Sequence, residues 1–209
     1  MNVLKIGAIS VTSVGGISVS VALAKHLSSG TSIKSVSDKL KEEHFTPITE
    51  ESDWNKMLTK YNQQKNEVDG RFTSKNEDVK IEELKSSCKE ILSEDSVNSK
   101  NYAKARRWCT IPKTLSNLLT SHKLTLLNTN DGNESSKGDW EKLQKAYETS
   151  SDNRITGLDL GSVANDKWKK LKAKCKEISE KDSTEVNFET LFSNLKKWCI
   201  KEESDRLNS

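Results

Sequence analysis

The chain has 209 residues, of which 31% are charged, 33% are hydrophobic and only two are prolines. This length allows one or two domains with real cores, and the low apolar fraction favours small helical units over strand-rich folds. A net charge of +3, with opposite charges interleaved along the chain, argues against a nucleic-acid partner, which requires a coherent cationic surface.

The first predicted element is an apolar segment of 19 residues without a charge, from Ile6 to Ala24 with Gly16 near its middle. As a helix it would extend about 28 Å, close to the thickness of a bilayer core. Small residues recur at every fourth position, which favours a membrane anchor packed against another helix. The small-x-small sequence ending at Ala24 is equally the form that signal peptidase reads. Residues 1–24 are therefore predicted to be a transmembrane anchor or a signal segment, followed by a polar stalk over residues 25–34.

The rest of the chain contains segments of its first half that recur, in similar form, in its second half. The matching segments keep the same order, and the spacing between them grows mainly across residues 128–139, a stretch rich in Gly, Asn and Ser. The matched positions are Ser37 with Ser116, Trp54 with Trp140, Tyr61 with Tyr147, Cys88 with Cys175, Trp108 with Trp198, and Cys109 with Cys199. Two tandem degenerate repeats are predicted, module 1 over residues 35–110 and module 2 over residues 113–203, with Pro112 at the junction between them.

Within each module the apolar residues fall at helical intervals. The fold class is therefore predicted to be all-α, with each module a small antiparallel bundle of three or four short helices. Asp53 and Asp139 precede the first apolar residue of their helices and are expected to be N-caps. The large aromatic residues are expected to anchor the cores rather than to form a ligand-binding cage; they are Trp54, Trp108, Trp140 and Trp198.

Each module carries two cysteines on the apolar faces of consecutive helices. Local pairing predicts two disulfides, Cys88 with Cys109 and Cys175 with Cys199. Such bonds persist outside a reducing cytosol, which favours export of the modules. The alternative is that all four are free, buried cysteines that act as small hydrophobic residues. A zinc site is disfavoured because the chain has no Cys-x-x-Cys sequence.

No motif of a familiar reaction class or cofactor occurs, so neither catalysis nor a cofactor is expected. His44 and His122 lie in corresponding segments but out of register, which suits surface positions. The basic pairs before the last Trp-Cys of each module, Arg106-Arg107 and Lys196-Lys197, could contact anionic partners or stack on the adjacent indole. A solvated helix edge is the simpler interpretation.

The pattern as a whole resembles the large paralogous families of uncharacterised proteins in haemotropic mycoplasmas. The most specific features are Phe45 and Pro47 ahead of Trp54, the sequence Trp108-Cys109 followed by Pro112, and the terminal Trp198-Cys199. The resemblance implies a surface antigen, or a protein in contact with host cells or plasma, and so concerns location more than mechanism.

The sequence therefore predicts a cell-membrane protein whose C-terminal part is extracellular, with an antigenic or host-interaction role and no catalysis. Its partners would be the membrane, through the N-terminal helix, and a host cell-surface or plasma component. The alternative is an intracellular, membrane-anchored helical scaffold with reduced cysteines.

Overall fold

The computed structural model describes residues 34–67, 70–97, 100–162 and 167–207. In these ranges nine α-helices form, and strand-like pairing is limited to isolated bridges. The all-α prediction is confirmed for this part of the chain. The helices are α1 (Val36–Glu42), α2 (Glu51–Gln63), α3 (Ile81–Leu92), α4 (Tyr102–Trp108), α5 (Leu115–Ser121), α6 (Lys137–Thr149), α7 (Lys167–Glu180), α8 (Phe188–Trp198) and α9 (Lys201–Arg206).

The predicted membrane segment, from Ile6 through Gly16 to Ala24, lies outside the described residues, as does nearly all of the predicted stalk. Among the helices of the described ranges, none combines the length and the apolar character that crossing a bilayer requires.

The two predicted aspartate N-caps are wrong, whereas α1 has a serine cap. α1 follows Ser35, whose hydroxyl accepts a hydrogen bond from the Asp38 N–H. Asp53 and Asp139 were expected to be N-caps, but α2 and α6 begin two residues earlier, so both lie inside the first turn. A carboxylate in the first turn is also favourable, because it faces the positive end of the helix dipole. The same sequence pattern is therefore compatible with a helix that begins two residues before the aspartate.

The loops after α1 and α5 turn in the same way. His44 and Lys123 adopt left-handed backbone conformations, with φ of 67° and 59°. The following N–H groups, of Phe45 and Leu124, reach back to carbonyls of the preceding helix at 2.8 and 2.9 Å, as in a Schellman motif. The two segments therefore leave α1 and α5 through the same kind of turn.

Further backbone hydrogen bonds recur at matched positions of the two modules. The Ile48 N–H donates to the Cys109 carbonyl, and the Leu127 N–H donates to the Cys199 carbonyl, both at 2.9 Å. The bridges Ser35 with Asp95 and Thr114 with Asp182 join the start of each module to the loop between its cysteine-bearing helices. The two modules therefore use the same connections around their disulfides.

The modules are not separate bodies, because one core contains apolar side chains from both and the described chain packs as one compact unit. Phe45 of module 1 lies edge-on to Phe188 of module 2, with ring centroids 6.0 Å apart. At the junction, Thr110 is fully buried and its hydroxyl donates to the Arg106 carbonyl at 2.6 Å. A second cluster, confined to module 1, surrounds its disulfide.

The loop after the second helix of each module is held by a tyrosine hydroxyl. Tyr61 accepts a hydrogen bond from the Phe72 N–H at 2.8 Å, and Tyr147 accepts one from the Ile155 N–H at 3.1 Å. Arg71 and Arg154 lie over the same two rings, 4.3 and 4.1 Å from the centroids. These contacts hold in place two loops that contain no regular secondary-structure hydrogen bonding of their own at these positions, through one tyrosine and one arginine each.

Replacing either tyrosine by phenylalanine is expected to lower the free energy of unfolding by about 1–2 kcal/mol, because a backbone N–H loses its buried acceptor while the ring stays in place. Urea unfolding of Tyr61→Phe, Tyr147→Phe and the double variant measures this. The two losses should add, because each tyrosine holds a different loop. A double variant as stable as the wild type would contradict the assigned role of the hydroxyls.

Candidate functional site

The four cysteines form two disulfides with the predicted partners. Cys88 is bonded to Cys109, with Cα atoms 5.4 Å apart, and Cys175 is bonded to Cys199, with Cα atoms 5.7 Å apart. All four residues are almost completely buried. The pairing follows from the fold, because each bond joins two consecutive helices on their facing apolar sides.

Each disulfide lies beside a tryptophan whose indole N–H is bonded inside the protein. Trp108 donates to the Gly70 carbonyl at 2.6 Å, and Trp198 donates to the Asn153 carbonyl at 2.7 Å. Their rings contact Tyr61 and Tyr147 edge-on, at 4.9 and 5.0 Å between centroids. Trp54, Trp108, Trp140 and Trp198 are all buried, so none of them presents a ring face to a ligand at the surface.

The basic pair of module 1 does not form a solvated edge. Arg106 and Arg107 are 3% and 4% exposed. Arg106 donates to the Ser183 carbonyl at 2.7 Å, and its guanidinium lies 3.7 Å from the centroid of Phe188. Arg107 donates to the Thr184 carbonyl at 2.6 Å. Two arginines of module 1 therefore bind the α7–α8 loop of module 2; these contacts are called the arginine clasp below.

The charges of the arginine clasp are only partly balanced. Arg107 also pairs with Glu67 at 2.7 Å and donates to the Gln64 side chain. Arg106 has Glu189 at 3.5 Å. Burial lowers the pKa of Arg106 to about 10, so this guanidinium remains charged at neutral pH.

The matched pair in module 2 behaves differently. Lys196 is exposed, with its ammonium 4.9 Å from the Phe192 ring. Lys197 pairs with Glu203 of α9 at 2.6 Å. The solvated-edge interpretation is thus wrong for Arg106 and Arg107 but describes Lys196. Stacking on the adjacent indole occurs in both modules, at 4.5 Å for Arg107 and 5.4 Å for Lys197.

Glu203 gives the stability of module 2 a pH dependence. Hydrogen bonds from Arg206 and then from Lys197 hold the pKa of Glu203 near 2, below its ordinary value of 4.5. A depressed carboxylate pKa stabilises the fold above pH 4.5, and the contribution is lost as the pH falls from about 4.5 toward 2.

Glu203→Gln is therefore expected to lower the free energy of unfolding by about 1 kcal/mol at pH 7, since its partners are half exposed. The difference from the wild type should shrink as the pH approaches 2. Urea unfolding at several pH values measures it, with Glu82→Gln on the exposed side of α3 as the control. A constant difference between the Glu203 variant and the wild type from pH 7 to pH 2 would contradict the assignment.

A half-open cavity of about 380 Å³ lies beside the loop between α5 and α6. Trp168 and Lys172 of α7 line one side, and residues 131–134 line the other. The Lys172 ammonium donates to the Asn130 and Asn133 carbonyls at 2.7 and 2.6 Å, so the loop is fixed to α7. Trp168 occupies the position that corresponds to Ile81 of module 1, and this match alone does not predict a cavity.

Two other groups with shifted pKa values, Tyr102 and His122, contact neighbouring side chains of the fold. Burial, followed by its hydrogen bond to Glu43 at 2.5 Å, raises the pKa of the Tyr102 hydroxyl, which stays protonated and acts as a donor. His44 and His122 are exposed, as predicted, and their rings touch edge-on at 4.8 Å. Burial and the neighbouring His44 lower the pKa of His122. In the described part of the chain, no three His, Cys, Asp or Glu side chains converge as metal ligands.

Comparisons with protein-family models, with curated proteins and with solved structures find no match to this chain.

Proposed function

We propose that this chain is a membrane-tethered surface protein with an antigenic or host-interaction role and without catalysis. The observation that carries the proposal is the pair of buried disulfides, one in each module. Disulfides of this structural kind persist in extracellular and other oxidising surroundings and are rare in a reducing cytosol. The apolar segment from Ile6 to Ala24 would supply the tether, with residues 35–203 outside the membrane.

The use made of the buried polar groups supports a non-catalytic role. Arg71, Arg107 and Lys172 direct their charged groups at backbone carbonyls of their own fold. Enzymes typically direct such groups toward a reacting atom in a cleft. Here they bind loops, which favours a rigid display scaffold.

We also propose that modules 1 and 2 derive from one ancestral module. The recurring loop conformations, bridges and tyrosine hydrogen bonds support a common origin more strongly than the sequence matches alone, because they involve backbone atoms and not only residue types. The resemblance to paralogous surface families of haemotropic mycoplasmas is consistent with a duplicated, variable module.

The test is made on intact native cells. Brief surface proteolysis should release peptides of residues 35–203 while a cytoplasmic marker protein stays intact. Mass spectrometry of the non-reduced peptides should then recover Cys88 linked to Cys109 and Cys175 linked to Cys199. Free thiols at all four positions, together with protection from the protease, would overturn the proposal and favour the intracellular scaffold.

A further inference from the structure

A second half-open cavity, of about 310 Å³, lies beside the arginine clasp, between α4 and the α7–α8 loop. Ala103 and the exposed Val186 give part of its lining an apolar character. The charged groups of the lining are four cationic side chains and one carboxylate, from Lys100, Lys104, Arg106, Arg107 and Glu185. The cavity therefore combines an apolar side with a strongly basic one.

Both arginines of the clasp keep unused hydrogen-bond donors. Arg106 donates through Nη1, and Arg107 donates through Nε and Nη2. Within the described residues, no acceptor bonds to Nη2 of Arg106 or to Nη1 of Arg107. Gly70 lines the cavity, and a Cβ added to it would collide with Nη1 of Arg107, so this nitrogen lies at the cavity wall. A largely buried donor without an acceptor is costly, so a ligand oxygen placed there would be stabilised.

The charges around the cavity do not cancel. The carboxylates that line it or pair with its arginines each have a cationic partner, at 2.7, 3.5 and 3.8 Å: Glu67 with Arg107, Glu189 with Arg106, and Glu185 with Lys181. By contrast, Lys100 and Lys104 have no ion-pair partner in the part of the chain that the structure describes. These two lysines leave the cavity with two unpaired positive charges.

We propose that this cavity binds a phosphate monoester whose other end is apolar. At neutral pH such a phosphate carries a charge of about −1.5 to −2, which matches the two unpaired lysines better than the single charge of a carboxylate or a sulfate ester. Guanidinium N–H groups fit phosphate oxygens in geometry. The apolar end of the ligand would rest against Ala103 and Val186, and the volume lies in the range of small-molecule sites.

The test uses the full chain in phosphatidylcholine nanodiscs, with empty nanodiscs as the baseline. Isothermal titration calorimetry, at an ionic strength of about 0.15 M that screens weak surface pairing, compares phenyl phosphate with three related compounds. We expect saturable binding of phenyl phosphate with a Kd below about 1 mM. Phenyl sulfate lacks the second charge, inorganic phosphate lacks the ring and phenol lacks the anion, so each should bind at least about tenfold more weakly.

Lys104→Glu reverses one of the unpaired charges and should weaken the binding of phenyl phosphate at least about tenfold. Lys100→Glu repeats the test at the more exposed of the two lysines. Lys89→Glu, on an exposed face of α3, makes the same charge change away from the cavity and should leave binding unchanged; circular dichroism checks that all three variants are folded.

Three results would each overturn the inference. They are the absence of saturable phenyl phosphate binding, binding of phenyl sulfate, inorganic phosphate or phenol as tight as that of phenyl phosphate, and unchanged binding by the folded Lys104 or Lys100 variant. Because binding is measured on purified protein, none of these results bears on the surface-display proposal, which the proteolysis of intact cells decides.

Discussion

Reduction of both disulfides is expected to bring the chain close to unfolding under otherwise native conditions. The bonds close loops with sequence separations of 21 and 24 residues. In the chain-entropy model each closure stabilises the fold by about 3 kcal/mol, or about 6 kcal/mol together. Domains have total stabilities of roughly 5–15 kcal/mol, so the reduced chain would retain a small margin at most.

Urea unfolding of the full chain, with and without a thiol reductant, measures this effect. Cys88→Ala with Cys109→Ala, and Cys175→Ala with Cys199→Ala, separate the contributions of the two modules. Each paired variant should lose about 3 kcal/mol and should no longer respond to reductant at that site. If the reduced and the oxidised wild type unfold at the same urea concentration, the bonds are not structural, and the argument for an oxidising compartment fails with them.

Loss of the arginine clasp is expected to destabilise the contact between the modules. Arg106→Ala leaves the Ser183 carbonyl without its donor and opens a void beside the Phe188 ring, over which the guanidinium lies. Arg107→Ala removes the donor to the Thr184 carbonyl. Each change should lower the free energy of unfolding by about 2–4 kcal/mol, since an unsatisfied buried acceptor and a cavity both contribute. Arginine-to-lysine variants should recover only part of the loss, because an ammonium lacks the planar fork and the stacking surface.

The matched lysines supply the control for the clasp. Lys196→Ala and Lys197→Ala remove the same kind of charge at equivalent positions. Lys196 is exposed, and Lys197 is only partly buried in its ion pair with Glu203, so each variant should lose less than about 1 kcal/mol. Hydrogen exchange adds a local readout: the amides of the α7–α8 loop should lose protection in the arginine variants and keep it in the lysine variants. Equal losses at the two pairs would show that the clasp adds nothing beyond ordinary surface charge.

The features that could be predicted from the sequence were those set by local periodicity. Helical spacing placed Cys88 and Cys109 on facing sides of consecutive helices, and the same reasoning applied to Cys175 and Cys199. Aromatic residues at helical intervals, such as Trp140, were assigned to the core because burial of a large ring dominates their energetics. The predicted helix starts were less accurate, as Asp53 shows. Polar side chains at several positions of a first turn can interact with the same free backbone N–H groups, so the pattern does not define which residue is the cap.

The features that could not be predicted depend on contacts between distant segments. Arg106 and Lys196 stand in the same local pattern, yet one is buried and the other solvated, because only Arg106 faces the loop of another module. Trp168 stands at the position that matches Ile81 of module 1. That match does not indicate that the longer loop of module 2 leaves space beside the Trp168 ring. The sequence contains one signal for the cavity, because the extra loop residues and the larger side chain at Trp168 both occur in module 2.

The position of the disulfides also determines how the chain responds to mechanical load. A pull at the two ends of the described chain reaches the bridge between Ser35 and Asp95 early, and Asp95 lies inside the loop closed by Cys88 and Cys109. Once that bridge opens, the covalent bond bears the tension and residues 88–109 add no contour length. Residues 175–199 likewise add no contour length, because the bond between Cys175 and Cys199 closes them into a loop. Under shear, each module would therefore lengthen by a limited step and keep its cystine loop intact.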